Sequence, residues 1–264
     1  MHLNKYTVNI IDIPIYVGNS TSFINEIIDS IITKPLNYSN RLISATSAHG
    51  LVFAYNNPTF KNTLLNFYYN IPDGQPMAWI GQLKGHKNMR RCPGVGTFGQ
   101  FMSTSASFPI KHFFCGGKEG IADDLKNACA NKFENTNVVG TYSPPFRVMT
   151  DEELTKLGAM INAAGANIVW IGLSTPKQEA FAENLAKYCN VNYIITVGAV
   201  FDFFTDNLKH APLWIRNLGL EWLYRLLKEP RRLFSRYAEV VPMFIWLNVK
   251  EYFIYLFGSK NKRS

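Results

Sequence analysis

At 264 residues and 47% hydrophobic side chains, the chain has ample apolar material for one large packed domain or one domain with a small appendage. Its formal charge of +8 is uneven: Thr205 to Ser264 holds eleven Lys/Arg against five acids, which points to an anionic partner such as phosphate groups, a membrane surface or nucleic acid. The Met1 end lacks the basic and apolar regions of a signal peptide, giving a cytoplasmic expectation, and Cys92, Cys115, Cys129 and Cys189 form no CxxC pair, which argues against a zinc site or a disulfide framework.

Along the chain, "SFINEIIDSII" places Ile24, Ile27, Ile28 and Ile31 on one helical face, and "RLISATSA" reads as a strand with a polar end. After the apolar "LLNFYY" comes "NIPDGQPMAW", where Pro72, Gly74 and Pro76 stiffen a turn around the single acid Asp73. "PIKHFFCGG" is a short strand ending in Gly116 and Gly117, followed by the helical "KEGIADDLKNACANKF". "NVVGTY" is another strand, and Thr150 with Glu153 forms a capping box for a helix whose Leu154, Leu157 and Ile161 share a face. "NIVWIGL" and "YIITVGA" are buried-looking strands flanking the helix "PKQEAFAENLAKY". Strands separated by single helices predict an α/β fold: a Rossmann-like, mostly parallel sheet with helices on both faces over residues 1–205. From 206 to 264 the pattern becomes a basic, amphipathic helical appendage, "APLWIRNLGLEWLYRLLKEPRRLFSRY" followed by "VVPMFIWLNVKEYFIYLF". The latter run is interrupted by Pro242, Asn248, Lys250 and Glu251 and falls short of the roughly 20 apolar residues of a membrane span.

Ligands of open α/β sheets bind beyond the carboxyl ends of the strands. The candidates are therefore Ser44 and Thr46, Asp73 and Gly74, Gly116 and Gly117, Ser174 to Gln178, and Gly198 to Asp202, and they should converge. Asp73 is ordinary turn chemistry on its own, but at that edge a held carboxylate can act as a general base. "FFCGGKEG" is either a glycine turn or a helix start whose N–H groups receive a phosphate. It is neither GxGxxG nor a Walker sequence, which counts against a nucleotide-dependent oxidoreductase. Gln178 can donate and accept hydrogen bonds where a sugar or base would need both. The arginines of "YRLLKEPRRLFSRY" suit a solvated helix face, an interfacial helix on anionic lipid, or a clamp on a diphosphate. No nucleic-acid motif is recognised, and His49, His86, His112 and His210 lack metal-ligand spacing, so no metal is expected. The rival reading is a non-catalytic α/β protein that binds an anionic membrane surface or nucleic acid.

Several blocks, in order from about Ser44 to Tyr237, resemble one known family: "IPDGQPMAW", "RRCPGVGTF", "FFCGGKEG", "GTYSPPF", "IVWIGLSTPKQEAF", "ITVGAVFDFF" and "APLWIRNLGLEWLYRLLKEPRRLFSRY". That family is the WecG/TagA/CpsF glycosyltransferases (glycosyltransferase family 26). The resemblance implies an inverting, metal-independent enzyme that moves a sugar from a UDP-sugar to a polyprenyl-diphosphate-linked saccharide at the cytoplasmic membrane face. It implies Asp73 as general base. The residues expected about the substrates are Ser44, Thr46, Gly74, Arg91, Gly116, Gly117, Gln178, Gly198 and Asp202. Arg225, Arg231, Arg232 and Arg236 would stabilise the departing UDP. No cofactor is implied beyond the UDP-sugar donor, and no nucleic acid; a homo-oligomer, with the appendage completing its own or a neighbouring site, is admitted. The chain departs from the family pattern at Ser44 and Thr46 in place of Thr-x-Asn, at His210 in place of an Arg, and at Gly96 in place of an Asp. These positions leave N-acetylmannosamine, its uronic acid, glucuronic acid and glucose open as donor sugars.

Overall fold

The computed structural model of the chain describes residues 6–33, 40–209 and 211–258, with side chains through Ile254. His210 and the cationic Lys260, Lys262 and Arg263 lie outside the described residues. In chain order the elements are β1 (Thr7–Ile10), β2 (Ile13–Tyr16), α1 (Ser20–Thr33), β3 (Arg41–Thr46), α2 (Ala48–Asn56), α3 (Pro58–Asn66), β4 (Tyr69–Pro72), α4 (Gln75–Leu83) and α5 (Gly94–Ser105). Then follow β5 (His112–Gly116), α6 (Ile121–Phe133), β6 (Val138–Tyr142), α7 (Asp151–Ala164), β7 (Ile168–Gly172), α8 (Lys177–Leu185), β8 (Tyr193–Thr196), α9 (Val200–Phe204), α10 (Leu213–Asn217), α11 (Glu221–Lys228) and α12 (Pro230–Gly258).

The eight strands form one sheet in the order β1-β2-β4-β3-β8-β7-β5-β6, parallel throughout except for the β1–β2 hairpin. This is the α/β architecture that the alternation of elements predicts. The isoleucine stripe of α1 and the capping box of α7 are both in place: Thr150 and Glu153 each accept the other's backbone N–H. The hairpin is an addition that the residue pattern did not announce. Its two-residue loop, Ile11 and Asp12, takes φ of 50° and 58°, left-handed values usually given to Asn-Gly.

Strand periodicity divides the core into two faces. On one, Ile43, Ala45, Ile71 and Ile195 meet α1, α5 and α6. On the other, Leu42, Val169 and Ile194 pack under α7 and α8, while Ile13 and Ile15 pack under α2, α3 and α12. Between these last two clusters runs a polar row across three strands, Asn70 on β4, Ser44 on β3 and Thr196 on β8, in register and all buried. A polar row in an apolar face is costly unless its groups are bonded, so its partners matter below.

The C-terminal helices are anchored to the sheet domain. Val240, Phe244 and Leu247 of α12 enter the core beside β1 and β2. Farther along, Glu251 pairs with Lys84 at 2.8 Å and accepts the Ile11 N–H at 3.2 Å, while Lys84 also donates to the Asn9 carbonyl at 2.6 Å. Pro242 lies inside α12 without ending it. Other apolar residues of this C-terminal region are exposed, including Leu213, Trp214, Leu218, Leu227 and Phe234. Among the described residues no helix is long and apolar enough to cross a membrane.

Candidate active site

The carboxyl ends of β4, β3, β8, β7 and β5 open on one edge, where the turns following them are bonded to one another. Asp73 leaves β4 with its N–H on the Thr46 carbonyl at 3.0 Å, so the turn continues the strand pairing with β3. Its carboxylate accepts the N–H of Gly94, the first residue of α5, at 2.6 Å. A helix N-terminus thus faces the acid and favours its charged form. A Cβ on Gly94 would lie 3.1 Å from the Val197 carbonyl just past β8, so the Asp73 turn and the turn after β8 meet at this residue.

Burial wins over these contacts. Desolvation lifts the Asp73 pKa from 3.8 to about 6; the Gly94 hydrogen bond pulls it down, Glu221 pushes it up, and Arg225 and Arg91 pull it down. Glu221 and Arg225 belong to α11, so the C-terminal helices reach the Asp73 edge of their own chain. Arg91 fastens that approach, donating to the Arg216 carbonyl at 2.9 Å and to Asn217 Oδ1 at 3.3 Å.

Within the polar row, Ser44 finds its partner on α8. Thr46 Oγ1 lies 3.0 Å from Ser44 Oγ and 3.3 Å from Asn70 Oδ1, and Ser44 Oγ donates to Glu179 Oε1 at 3.3 Å. The same Glu179 oxygen accepts from Thr175 Oγ1 at 3.0 Å and Gln178 Nε2 at 2.9 Å. Glu179 is buried, and desolvation raises its pKa against the lowering effect of the bonds from Gln178, Thr175 and Ser44. Gln178 is turned inward as well: its Oε1 accepts the Gly198 N–H at 2.9 Å, so both ends of its amide brace the turns after β7 and β8. The missing amide of the Thr-x-Asn pattern has a neighbour in Asn70, whose Nδ2 is engaged by the Pro14 and Leu64 carbonyls.

Toward β5 the edge is shaped by close backbone approach. A Cβ on Gly116 would fall 2.5 Å from the Gly172 carbonyl oxygen, and Gly117 has φ +71° with its N–H on the Gly172 carbonyl at 3.1 Å. These glycines therefore have a packing reason to be glycine, and the Gly117 N–H is already engaged. In the first turn of α9, Asp202 has its pKa raised by desolvation and lowered by the charges of Lys118 and Arg232. Arg236 lies near His49, which desolvation first and Arg236 second hold neutral, with a pKa of about 4.

The structure thus gathers Ser44, Thr46, Asp73, Gly74, Arg91, Gln178, Gly198 and Arg225 about one edge, with Gly116, Gly117, Asp202 and Arg232 at its β5 side. Arg231 stands apart, exposed on α12 with no hydrogen bond or ion pair among the described residues. The residue pattern did not single out Glu179, Thr196, Lys118 or Glu221. Glu179 and Glu221 had signals, since they complete the quoted "PKQE" and "GLEWLYRL" blocks. Among the described residues no cluster of three or more His, Cys, Asp or Glu is placed to hold a metal ion. All four cysteines are buried and unpaired, with burial pushing the Cys92 thiol up to about 12. The open cleft lined by Asn56, Glu239, Pro242, Met243 and Trp246 lies at the far end of α2, away from this edge. In comparison with known families, the model described as "Glycosyl transferase WecG/TagA/CpsF family" matches residues 8–256.

Proposed function

Because the chain belongs to the WecG/TagA/CpsF glycosyltransferase family, whose members work in surface polysaccharide or teichoic acid synthesis, we propose that it is an inverting transferase that takes a UDP-sugar as donor and a polyprenyl-diphosphate-linked saccharide as acceptor. Asp73 is its general base. The observation that carries this reading is a single half-buried carboxyl group held by the Gly94 N–H at the strand edge, with a pKa near 6 and three charged groups, Glu221, Arg225 and Arg91, facing it. A base poised just below neutral pH is ionised in use and still able to take a proton.

In the reaction, an acceptor hydroxyl gives its proton to the Asp73 carboxylate while its oxygen bonds the anomeric carbon. The bond from that carbon to the diphosphate oxygen breaks, and UDP leaves from the opposite face with the electron pair. The negative charge growing on UDP calls for fixed positive groups, and Arg225, Arg232 and Lys118 support this role by their place near Asp73 and Asp202. No metal is required in this scheme. The exposed Leu213, Trp214, Leu218, Leu227 and Phe234 beside Lys228 and Arg231 suit an interfacial face on anionic lipid, where a lipid-linked acceptor is presented.

The test is a transfer assay in EDTA with a panel of UDP-sugars and a short-chain prenyl-diphosphate-linked amino sugar, read by mass spectrometry. A one-sugar gain in mass that Asp73→Asn abolishes is the expected result. A gain that survives the substitution refutes Asp73 as base, and no gain from any donor overturns the transferase reading for these substrates.

A further inference from the structure

A buried carboxyl group with half its bonding unmet is linked to the proposed base through Thr46 and Ser44. Glu179 is 1% exposed, and three donors converge on its Oε1 while its Oε2 has no hydrogen-bond partner among the described residues. Thr196 Oγ1, in register with Ser44 on the next strand, is likewise buried and unpartnered. Leaving such groups unmet is costly, and both border the polar row, Glu179 through its bond with Ser44 and Thr196 as the row's member on β8. The carboxylate oxygen is an acceptor, and the threonine hydroxyl can donate or accept. A hydroxyl group is the ligand chemistry that serves both, giving its proton to Glu179 and accepting from Thr196.

The position selects which hydroxyl. Thr46 connects the two acids: its carbonyl accepts the Asp73 N–H, and its hydroxyl bonds Ser44, which bonds Glu179. Strands β4 and β3 are hydrogen-bonded neighbours, so the relay from Asp73 to Ser44 crosses one strand interval of about 4.8 Å. If Asp73 takes the proton of the attacking hydroxyl, the ring being transferred sits next to Asp73 and over this row. Resting on that reading of the site, the geometry points to Glu179, with Thr196, as the group that reads a hydroxyl of the transferred sugar and so distinguishes UDP-sugar from UDP. Every side chain bonded to Glu179 is uncharged, so its recognition is by hydrogen-bond direction and not by ion pairing.

Glu179→Gln is the discriminating variant. It keeps an oxygen for the Ser44, Thr175 and Gln178 donors but turns the free acceptor into a donor; Thr196→Val removes the second group at constant shape. Calorimetric titration of wild type and both variants with UDP and with each UDP-sugar, alongside thermal unfolding, gives the answer. The expected result is unchanged UDP affinity and unfolding temperature in Glu179→Gln, with at least a tenfold loss for the preferred UDP-sugar and a smaller loss in Thr196→Val. Unchanged affinity for that UDP-sugar in Glu179→Gln overturns the inference and leaves the transferase reading standing. Equal losses for UDP and UDP-sugar with a lowered unfolding temperature make Glu179 a structural brace and also overturn it. Wild type that binds no UDP-sugar overturns both readings together.

Discussion

Asp73→Asn should make the protein more stable as it makes it inactive. Moving the carboxyl pKa from 3.8 to about 6 on folding corresponds to about 3 kcal/mol, at ~1.4 kcal/mol per pH unit, held against the ionised form. Because the group keeps some solvent access, about 2 kcal/mol is the working figure. Asparagine retains an oxygen for the Gly94 N–H and has no charge to desolvate. Below pH 4 the acid is neutral in folded and unfolded chains alike, so the two proteins should match. Between pH 4 and 6 the unfolded chain ionises while the folded one resists, and wild-type stability falls relative to the variant. Above pH 6 the gap should hold constant. Urea unfolding at intervals from pH 4 to 8 measures it, with a transfer assay at pH 7.5 expected to show a fall of about 10²–10⁴. An asparagine variant that is no more stable than wild type at pH 8 would mean that the carboxylate is fully compensated, and the case for a tuned base would fail.

Further outcomes follow from neighbouring groups. Glu221→Gln should lower the Asp73 pKa and move the acidic limb of the pH–rate profile down, while Arg225→Ala should move it up and also reduce kcat; both are read from kcat/KM between pH 5 and 8. Phe244→Ala should cost about 3–4 kcal/mol as a cavity in the core beneath α12 and increase proteolysis between α9 and α11, measured by urea unfolding and limited digestion. Glu251→Ala should cost about 1–2 kcal/mol by leaving Lys84 and the Ile11 N–H without their partner, measured in the same way. Gly116→Ala, whose Cβ would meet the Gly172 carbonyl, should fail to accumulate as folded protein, checked by circular dichroism and yield.

The parts of the fold that were legible in the sequence are those with strong local periodicity. The α1 stripe, the α7 capping box and the apolar runs of β3, β5, β7 and β8 each carry their own signal, and their alternation predicts the parallel sheet. The β1–β2 hairpin was not legible because Ile11 and Asp12 adopt left-handed conformations without the Gly or Asn that normally marks them. At the candidate site, the turns after the strands meet at one edge, but side-chain direction is a tertiary property. Gln178 and Glu179 are adjacent, and only packing shows the amide bracing Gly198 while the acid holds an unmet oxygen. The approach of Glu221 and Arg225 to Asp73 depends on where α12 docks, which rests on contacts with residues more than 200 positions earlier.

That docking orders events during synthesis. The hairpin loop that receives Glu251 is made before the rest of the sheet, and Glu251 follows 240 residues later. The sheet can assemble before α12 exists, but the helix that steadies Glu221 and Arg225 over Asp73 can be clamped only once Phe244, Leu247 and Glu251 have emerged. A nascent chain therefore carries Asp73 and Arg91 well before it gains Glu221 and Arg225, and those two are held in place only after α12 closes against the β1–β2 hairpin.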